Sequence, residues 1–347
     1  MLEEGRPTDE PRLVTSELSS HRSSDGHFLN PWPDAKPPTF RDVITWSRTR
    51  RSTPRGRPIL PAHVQPGFAQ PRAATGTLSA TWIGHSTVLL QVGALNVLTD
   101  PMWSGRASPV QWAGPHRLTT PGIALDALPP IDVVLLSHNH YDHLDAASVR
   151  AIARRHPAAR WFTPLGVARY VRRWGGRAIT ELDWWGAIDA DGVRVACVPA
   201  QHASGRTPFD RMRTLWCGWT LRSGKHSTYF AGDTAYHSEF GEIARRHGPF
   251  DMCVLPVGAY EPRWFMRPVH MNPDEAVRAY VDIAHAHPAA PPPVALAVHW
   301  GTFSLADEPV DEPPRRAADV WRAAGLPQDN LWILSLGETR RVPSRGA

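Results

Sequence analysis

Six consecutive residues, His138-Asn139-His140-Tyr141-Asp142-His143, close an apolar stretch that begins at Ile131. Three imidazoles and a carboxylate in so short a span make a poor packing solution, because each buried ring or charge needs a partner. They make a good metal site. Neutral imidazole and carboxylate are ligands that Zn²⁺ accepts, and with no cysteine nearby a structural zinc knuckle is disfavoured. His138 and His140, two apart at a strand end, can point the same way from an extended backbone, whereas Asp142 and His143 lie past a turn and can face a second ion. Asp145 suits the N-cap of a helix over residues 148–155. The bland alternative, a histidine-rich turn bonded only to backbone and water, would serve for a lone histidine.

A chain of 347 residues can bury a large core, as one big domain or two ordinary ones. With 42% hydrophobic residues, no long apolar run and a polar start, it shows neither a transmembrane helix nor a signal peptide and reads as soluble and cytoplasmic. Cys197, Cys217 and Cys253 each lie in a strand-like apolar segment, which predicts buried free thiols in a reducing compartment. The net charge is +5, carried almost wholly by arginines mixed with acids. No basic stripe results, so no nucleic-acid partner is expected, while anionic lipid or phosphate partners stay open.

Residues 1–40, rich in Pro, Ser, Arg and acids, predict a disordered or loosely attached tail. Residues 41–75 place sparse apolar side chains between prolines and a cationic run at 48–57. They read as an irregular arm packed on the domain, with contact to a membrane surface as the alternative. The main domain, residues 76–347, opens with strands at 78–92 and 94–98 that end in Thr99-Asp100-Pro101. Asp100 is a candidate outer partner for a ligating histidine, with turn capping as its rival, and His85, in the Gly84-His85-Ser86-Thr87 break, has the same two readings. Alternating strand and helix patterns beyond the hexapeptide indicate a layered α/β fold.

Three later strands each run into a potential ligand: residues 195–201 into His202, 228–232 into Asp233, and 294–298 into His299. The repetition suggests loops converging on one edge of the sheets. His138, His140 and His202 are assigned to one ion, Asp142, His143 and His299 to another, and Asp233 as the bridge. Two Zn²⁺ per chain would share that carboxylate and a water whose pKa falls toward about 7, giving a bridging hydroxide as nucleophile. Asp142 and Asp233 are then catalytic as well as ligating.

These residues resemble the metallo-β-lactamase fold superfamily, and the segments around them resemble the N-acylphosphatidylethanolamine-hydrolysing phospholipase D family. The matching segments include Thr81-Trp82-Ile83-Gly84-His85, Glu181-Leu182-Asp183-Trp184-Trp185, Phe230-Ala231-Gly232-Asp233-Thr234, Gly258-Ala259-Tyr260-Glu261-Pro262-Arg263-Trp264-Phe265-Met266 and His299-Trp300-Gly301-Thr302-Phe303. The ligand pattern identifies only the superfamily; the block at 258–266 is far more specific. The resemblance implies an αββα sandwich, a dinuclear zinc site at its edge, and phosphodiester hydrolysis yielding phosphatidic acid and an N-acylethanolamine from a phospholipid substrate. It also makes His270 a catalytic and pocket candidate beside Gln201.

Tyr141 could reach substrate or simply pack. Tyr260 and Trp264 are further substrate candidates, Trp264-Phe265-Met266 forming a strip suited to an acyl chain or to the core. Glu261 and Arg263 suggest an internal ion pair. The loop at 203–213 and the arm before Thr75 depart from the family pattern. Three readings compete with a phospholipase: a hydrolase of a lactone, a hydrolase of a cyclic or small phosphodiester, and a non-catalytic metal-bound regulator at a membrane. Peripheral membrane contact and a homodimer both stay open.

Overall fold

Along the stretch before the hexapeptide, Val133 and Leu135 enter one buried cluster while Val134 and Leu136 enter another. Successive side chains of a strand point to opposite faces, so a strand apolar on both must lie between two layers. The computed structural model describes residues 21–32, 36–49, 58–190 and 192–343, and it resolves this demand with two facing sheets.

The first sheet contains β1 (Leu78–Gly84), β2 (Thr87–Val92), β3 (Leu95–Thr99), β4 (Val133–Leu135), β5 (Arg160–Pro164) and β6 (Ala178–Leu182). The second contains β7 (Ala187–Ala190), β8 (Val193–Val198), β9 (Gly218–Ser223), β10 (His226–Phe230), β11 (Met252–Pro256), β12 (Val294–Val298) and β13 (Leu331–Trp332). A last strand, β14 (Thr339–Arg341), returns to pair antiparallel with β1 and closes the first sheet in the order β14-β1-β2-β3-β4-β5-β6. Strands β3 to β6 run parallel, as do β10 to β13.

Among the described residues seven α-helices accompany them: α1 (Phe40–Thr49), α2 (Ala146–Arg155), α3 (Ala168–Arg173), α4 (Phe240–His247), α5 (Arg263–Met266), α6 (Pro273–His285) and α7 (Glu312–Ala323). Val149, Ile152 and Val171 of α2 and α3 pack on the outer face of the first sheet with Leu89, Leu98 and Trp161. Ile243, Tyr280 and Trp321 of α4, α6 and α7 join the larger cluster, which also fills the space between the sheets. Trp82 stacks on Trp300 with ring centroids 4.8 Å apart, and Trp219 donates from Nε1 to the carbonyl of Leu136 at 2.8 Å, so each bond ties one sheet to the other. The fold class is α/β, with helices outside a pair of sheets.

Asp145 caps α2, accepting from the N–H groups of Ala147 and Ser148. This places the hexapeptide between the end of β4 and a helix N-terminus. β8, β10 and β12 end at the same edge, so the loops carrying His202, Asp233 and His299 meet it.

The described part of the N-terminal region is more ordered than its composition suggests. Residues 1–20 and 50–57, most of the predicted cationic run among them, lie outside the described residues. Residues 21–32, expected in a loose tail, instead pack on the domain: Phe28 is buried in the main core, and His21 bonds Asp183 at 2.7 Å while stacking on Trp184. Within the expected irregular arm lies α1. Its start is a reciprocal cap in which Thr39 N–H donates to Asp42 at 2.6 Å and Asp42 N–H donates to Thr39 Oγ1 at 3.3 Å. Trp46 then anchors it, stacking on Phe265 at 5.0 Å and donating to Asp307 at 2.9 Å. The cap and one aromatic anchor replace the apolar stripe the sequence lacks.

All three cysteines are free and buried. Burial pushes the Cys197 thiol above its usual range and Cys217 further still. A thiolate-directed reagent at pH 8 should therefore label none of them in the native protein and all three in denaturant; rapid native labelling would contradict the packing described.

Candidate metal centre

The imidazoles are aimed by hydrogen bonds on the side away from the site. His143 donates from Nδ1 to Asp100 Oδ2 at 2.7 Å, and Asp100 is itself held by the N–H of Ser137 at 2.7 Å and its hydroxyl at 2.5 Å. His202 donates from Nδ1 to the carbonyl of Val269 at 2.8 Å. Each bond holds Nδ1 on the outer side and turns Nε2 inward, the usual orientation of a ligating histidine.

The inward-facing atoms converge in two groups. His138 Nε2, His140 Nδ1 and His202 Nε2 form one, with 2.8 Å from His138 to His140 and 3.2 Å from His140 to His202. Asp142, His143, His299 and also His85 form the other. Between them lies Asp233. Its Oδ2 is 3.1 Å from both His143 Nε2 and His299 Nε2, 3.7 Å from His202 Nε2 and 3.9 Å from His138 Nε2. One carboxylate oxygen thus faces both groups.

The electrostatics call for a cation. Burial opposes ionisation of Asp233, yet the His143 and His299 imidazoles hold it well below the usual carboxylate range, and Asp142 behaves alike beside His143, His299 and His85. Two negative charges result, Asp233 buried and Asp142 largely so. Against the effect of burial, they raise His299 to about 9 and His143 well above its ordinary value. The first group is the reverse: burial, reinforced by neighbouring imidazoles, pushes His140 down to about 3 and lowers His138 and His202 as well, leaving neutral donors. His143 Nε2, His299 Nε2 and Asp233 Oδ1 are buried without a hydrogen-bond partner. Buried polar atoms left unpaired, neutral nitrogens and ionised carboxylates together fit a divalent metal ion.

The backbone is bent to achieve this. His85, Asp100 and His299 have φ of +54°, +29° and +65°, each costing about 1–3 kcal/mol for a non-glycine residue, a kind of strain that clusters at functional sites. At Gly232 a Cβ would lie 2.5 Å from that of Ser137, so only glycine lets the Asp233 loop press against the hexapeptide strand.

Beside the first group opens a cavity of about 580 Å³, lined by His140, His202 and His270 and by apolar groups including Val43, Phe265 and Met266. His270 is the pocket candidate the structure brings to the site; its ring centroid is 5.0 Å from that of His202, and Nδ1 has no partner. Other candidates go elsewhere. Tyr260 is fully buried and donates to Glu312 at 2.6 Å, so it braces α7 and does not face the cavity. Trp264 is 53% exposed on the outer side of α5 and is absent from the cavity wall. Gln201 bonds the carbonyl of Pro268 at 3.0 Å and supports the loop that carries His270. Tyr141 packs: its hydroxyl donates to the carbonyl of Arg206 at 2.9 Å, and the Arg206 guanidinium lies over its ring. Arg263 pairs with Glu275 through two bonds of 2.7 and 2.9 Å; Glu261 accepts only its backbone N–H.

His85, expected as an outer partner, reaches Asp142 Oδ2 with its Nε2 at 2.8 Å and lies among the second group. Arg206, whose NH1 binds the carbonyls of Asn139 and Leu144 and so braces the hexapeptide from the 203–213 loop, gave no signal at all.

Two facing sheets with buried histidines and aspartates gathered at one edge define a metal-binding α/β protein. A model of the β-lactamase superfamily domain matches residues 95–300, and the chain belongs to that superfamily. An uncharacterized protein of Mycobacterium tuberculosis is 41% identical over 88% of this chain and 80% of its own length. The N-acyl-phosphatidylethanolamine-hydrolyzing phospholipase D 1 of Caenorhabditis elegans is 38% identical over 66% of this chain and 65% of its own. A metallo hydrolase of Ignicoccus hospitalis shares the fold, with a TM-score of 0.56 at 21% identity over 76% of this chain and 98% of that one.

Replacing Asp100 by Asn removes the charged acceptor that orients His143 while preserving shape. Affinity for a divalent ion offered to the second group should fall about 10- to 100-fold by competition with a chromophoric chelator, and unchanged affinity would refute the orienting role.

Proposed function

We propose that the chain is a dinuclear zinc phosphodiesterase that hydrolyses N-acylphosphatidylethanolamine-type phospholipids to phosphatidic acid and an N-acylethanolamine. The observation that supports this most is the junction of an apolar cavity of about 580 Å³ with a buried, carboxylate-bridged donor set, the geometry needed to seat a long acyl chain beside a phosphate. The C. elegans relative, whose name carries this activity, supports the choice of substrate.

His138, His140 and His202 would hold one ion, Asp142, His143 and His299 the second, and Asp233 would touch both. When bound, such a pair supplies Lewis acidity to the phosphoryl oxygens and acidifies a water at neutral pH. The chain's own groups do the rest. His270, kept neutral by burial, can present an Nδ1–H to a phosphate oxygen in the cavity. Val43, Phe265 and Met266 exclude water around the acyl chain. Phe209, 91% exposed next to the cavity-lining Pro208, offers a point of entry into a lipid surface; among the described residues no helix is long and apolar enough to cross one.

Purified protein mixed with micelles of a defined N-acylphosphatidylethanolamine should release N-acylethanolamine, measured by mass spectrometry, and chelator should abolish the release. Turnover of a lactone or a cyclic phosphodiester without phospholipid hydrolysis would redirect the assignment. Asp233→Asn should lower kcat by at least about 100-fold, beyond the loss typical of an outer partner; activity near wild type would refute the shared carboxylate.

A further inference from the structure

His202 stands four residues past the end of β8, at Val198, and therefore beyond the reach of that strand's ladder. Its peptide groups are taken by a side chain from 172 residues earlier. Asn30 Nδ2 donates to the carbonyl of His202 at 2.8 Å, and Asn30 Oδ1 accepts from the His202 N–H at 3.2 Å. The same oxygen accepts from Trp216 Nε1 at 3.2 Å, which keeps the amide oriented. With the ring fixed by Val269, His202 is held at three points, and its Nε2 has one direction left, toward His140 and Asp233.

Asn30 belongs to a strap, residues 21–32, seated independently of the metal centre. Its near end is held by His21 on Asp183 and Trp184; its middle by Phe28, whose N–H donates to the carbonyl of Met212 at 2.8 Å; and its far end by Trp32, stacked on His237 at 4.5 Å. A little further along the chain, Pro37, Pro38 and Val43 line the cavity beside His202. One N-terminal stretch thus touches both the back of a ligand and the wall of the cavity.

We propose that Asn30 is a positioning residue for the metal site: its carboxamide clamps the backbone of His202 and sets the geometry of the His138–His140–His202 group. The proposal rests on reading His202 as a ligand, and is independent of which substrate is turned over. Ligand orientation from outside the coordination sphere typically changes affinity about 10- to 100-fold.

The test compares wild type, Asn30→Ala and Phe28→Ala in the full chain. Phe28→Ala loosens the same strap by core loss without touching His202, so it controls for stability. Each protein is loaded with cobalt(II) in place of zinc, and its visible spectrum and metal content after dialysis against graded chelator are measured. Asn30→Ala should lose one of two ions at roughly 10- to 100-fold lower chelator and change the band shape, while Phe28→Ala, despite a lower Tm, keeps the wild-type spectrum and retention. If Asn30→Ala matches wild type in both readouts, or if Phe28→Ala shows the same loss, the clamp is overturned and the ligand reading stands. If wild type takes up no cobalt, the ligand reading itself falls.

Discussion

Two ionised carboxylates at one rim, Asp233 buried and Asp142 largely so, dominate this molecule. Asp142 and Asp233 lie among imidazoles on all sides, with the closest nitrogen of His85 at 2.8 Å from Asp142 and those of His143 and His299 at 3.1 Å from Asp233. Isolated charges buried at this depth are strongly unfavourable and must be compensated by opposite charge. Protons on His143 and His299 are one form of compensation and divalent ions another. The rest of the site follows from supplying either.

The scaffold makes that concentration of charge tolerable. Strands β4, β8, β10 and β12 bury nearly every side chain up to the residue where they end, and the ligands begin only past that point. The packed sheets therefore act as a rigid base, while the strained backbone is held by hydrogen bonds at both N–H and carbonyl of His85 and Asp100 and at the N–H of His299. Asp100 illustrates the economy of the design. It ends β3, yet its carboxylate binds the loop after β4 and orients a histidine beyond it, so strand order and ligand geometry are linked through one side chain. The cavity extends this base outward, with Val43 of α1 and the loop at 203–213 among its walls.

Much of this was legible because it is local. The hexapeptide's spacing, the strand ends at His202, Asp233 and His299, and the cap at Asp145 are short-range patterns whose chemistry is visible in a few residues. What stayed hidden depends on partners far away in sequence. Tyr260 and Glu312 are 52 residues apart, and a tyrosine in a specific motif looks the same whether it faces a substrate or a helix. Arg263 had an acid two positions away and took Glu275 instead, because α6 brings that carboxylate alongside. Within the region before residue 50, the described residues 21–32 and 36–49 were misjudged by composition. Proline and charge dilute its apolar content, but Phe28, Trp32 and Trp46 each find a prepared aromatic or core contact, and a few such anchors suffice for a segment that need not fold alone.

The central claim is that a single carboxylate, Asp233, joins two cations at the rim of these sheets. Anomalous scattering recorded at the zinc edge from crystals of the zinc-loaded protein tests it directly. The account predicts two peaks about 3.5–4 Å apart, one beside His138, His140 and His202, the other beside Asp142, His143 and His299, with Asp233 in contact with both. A single peak, or two that Asp233 does not bridge, would contradict it.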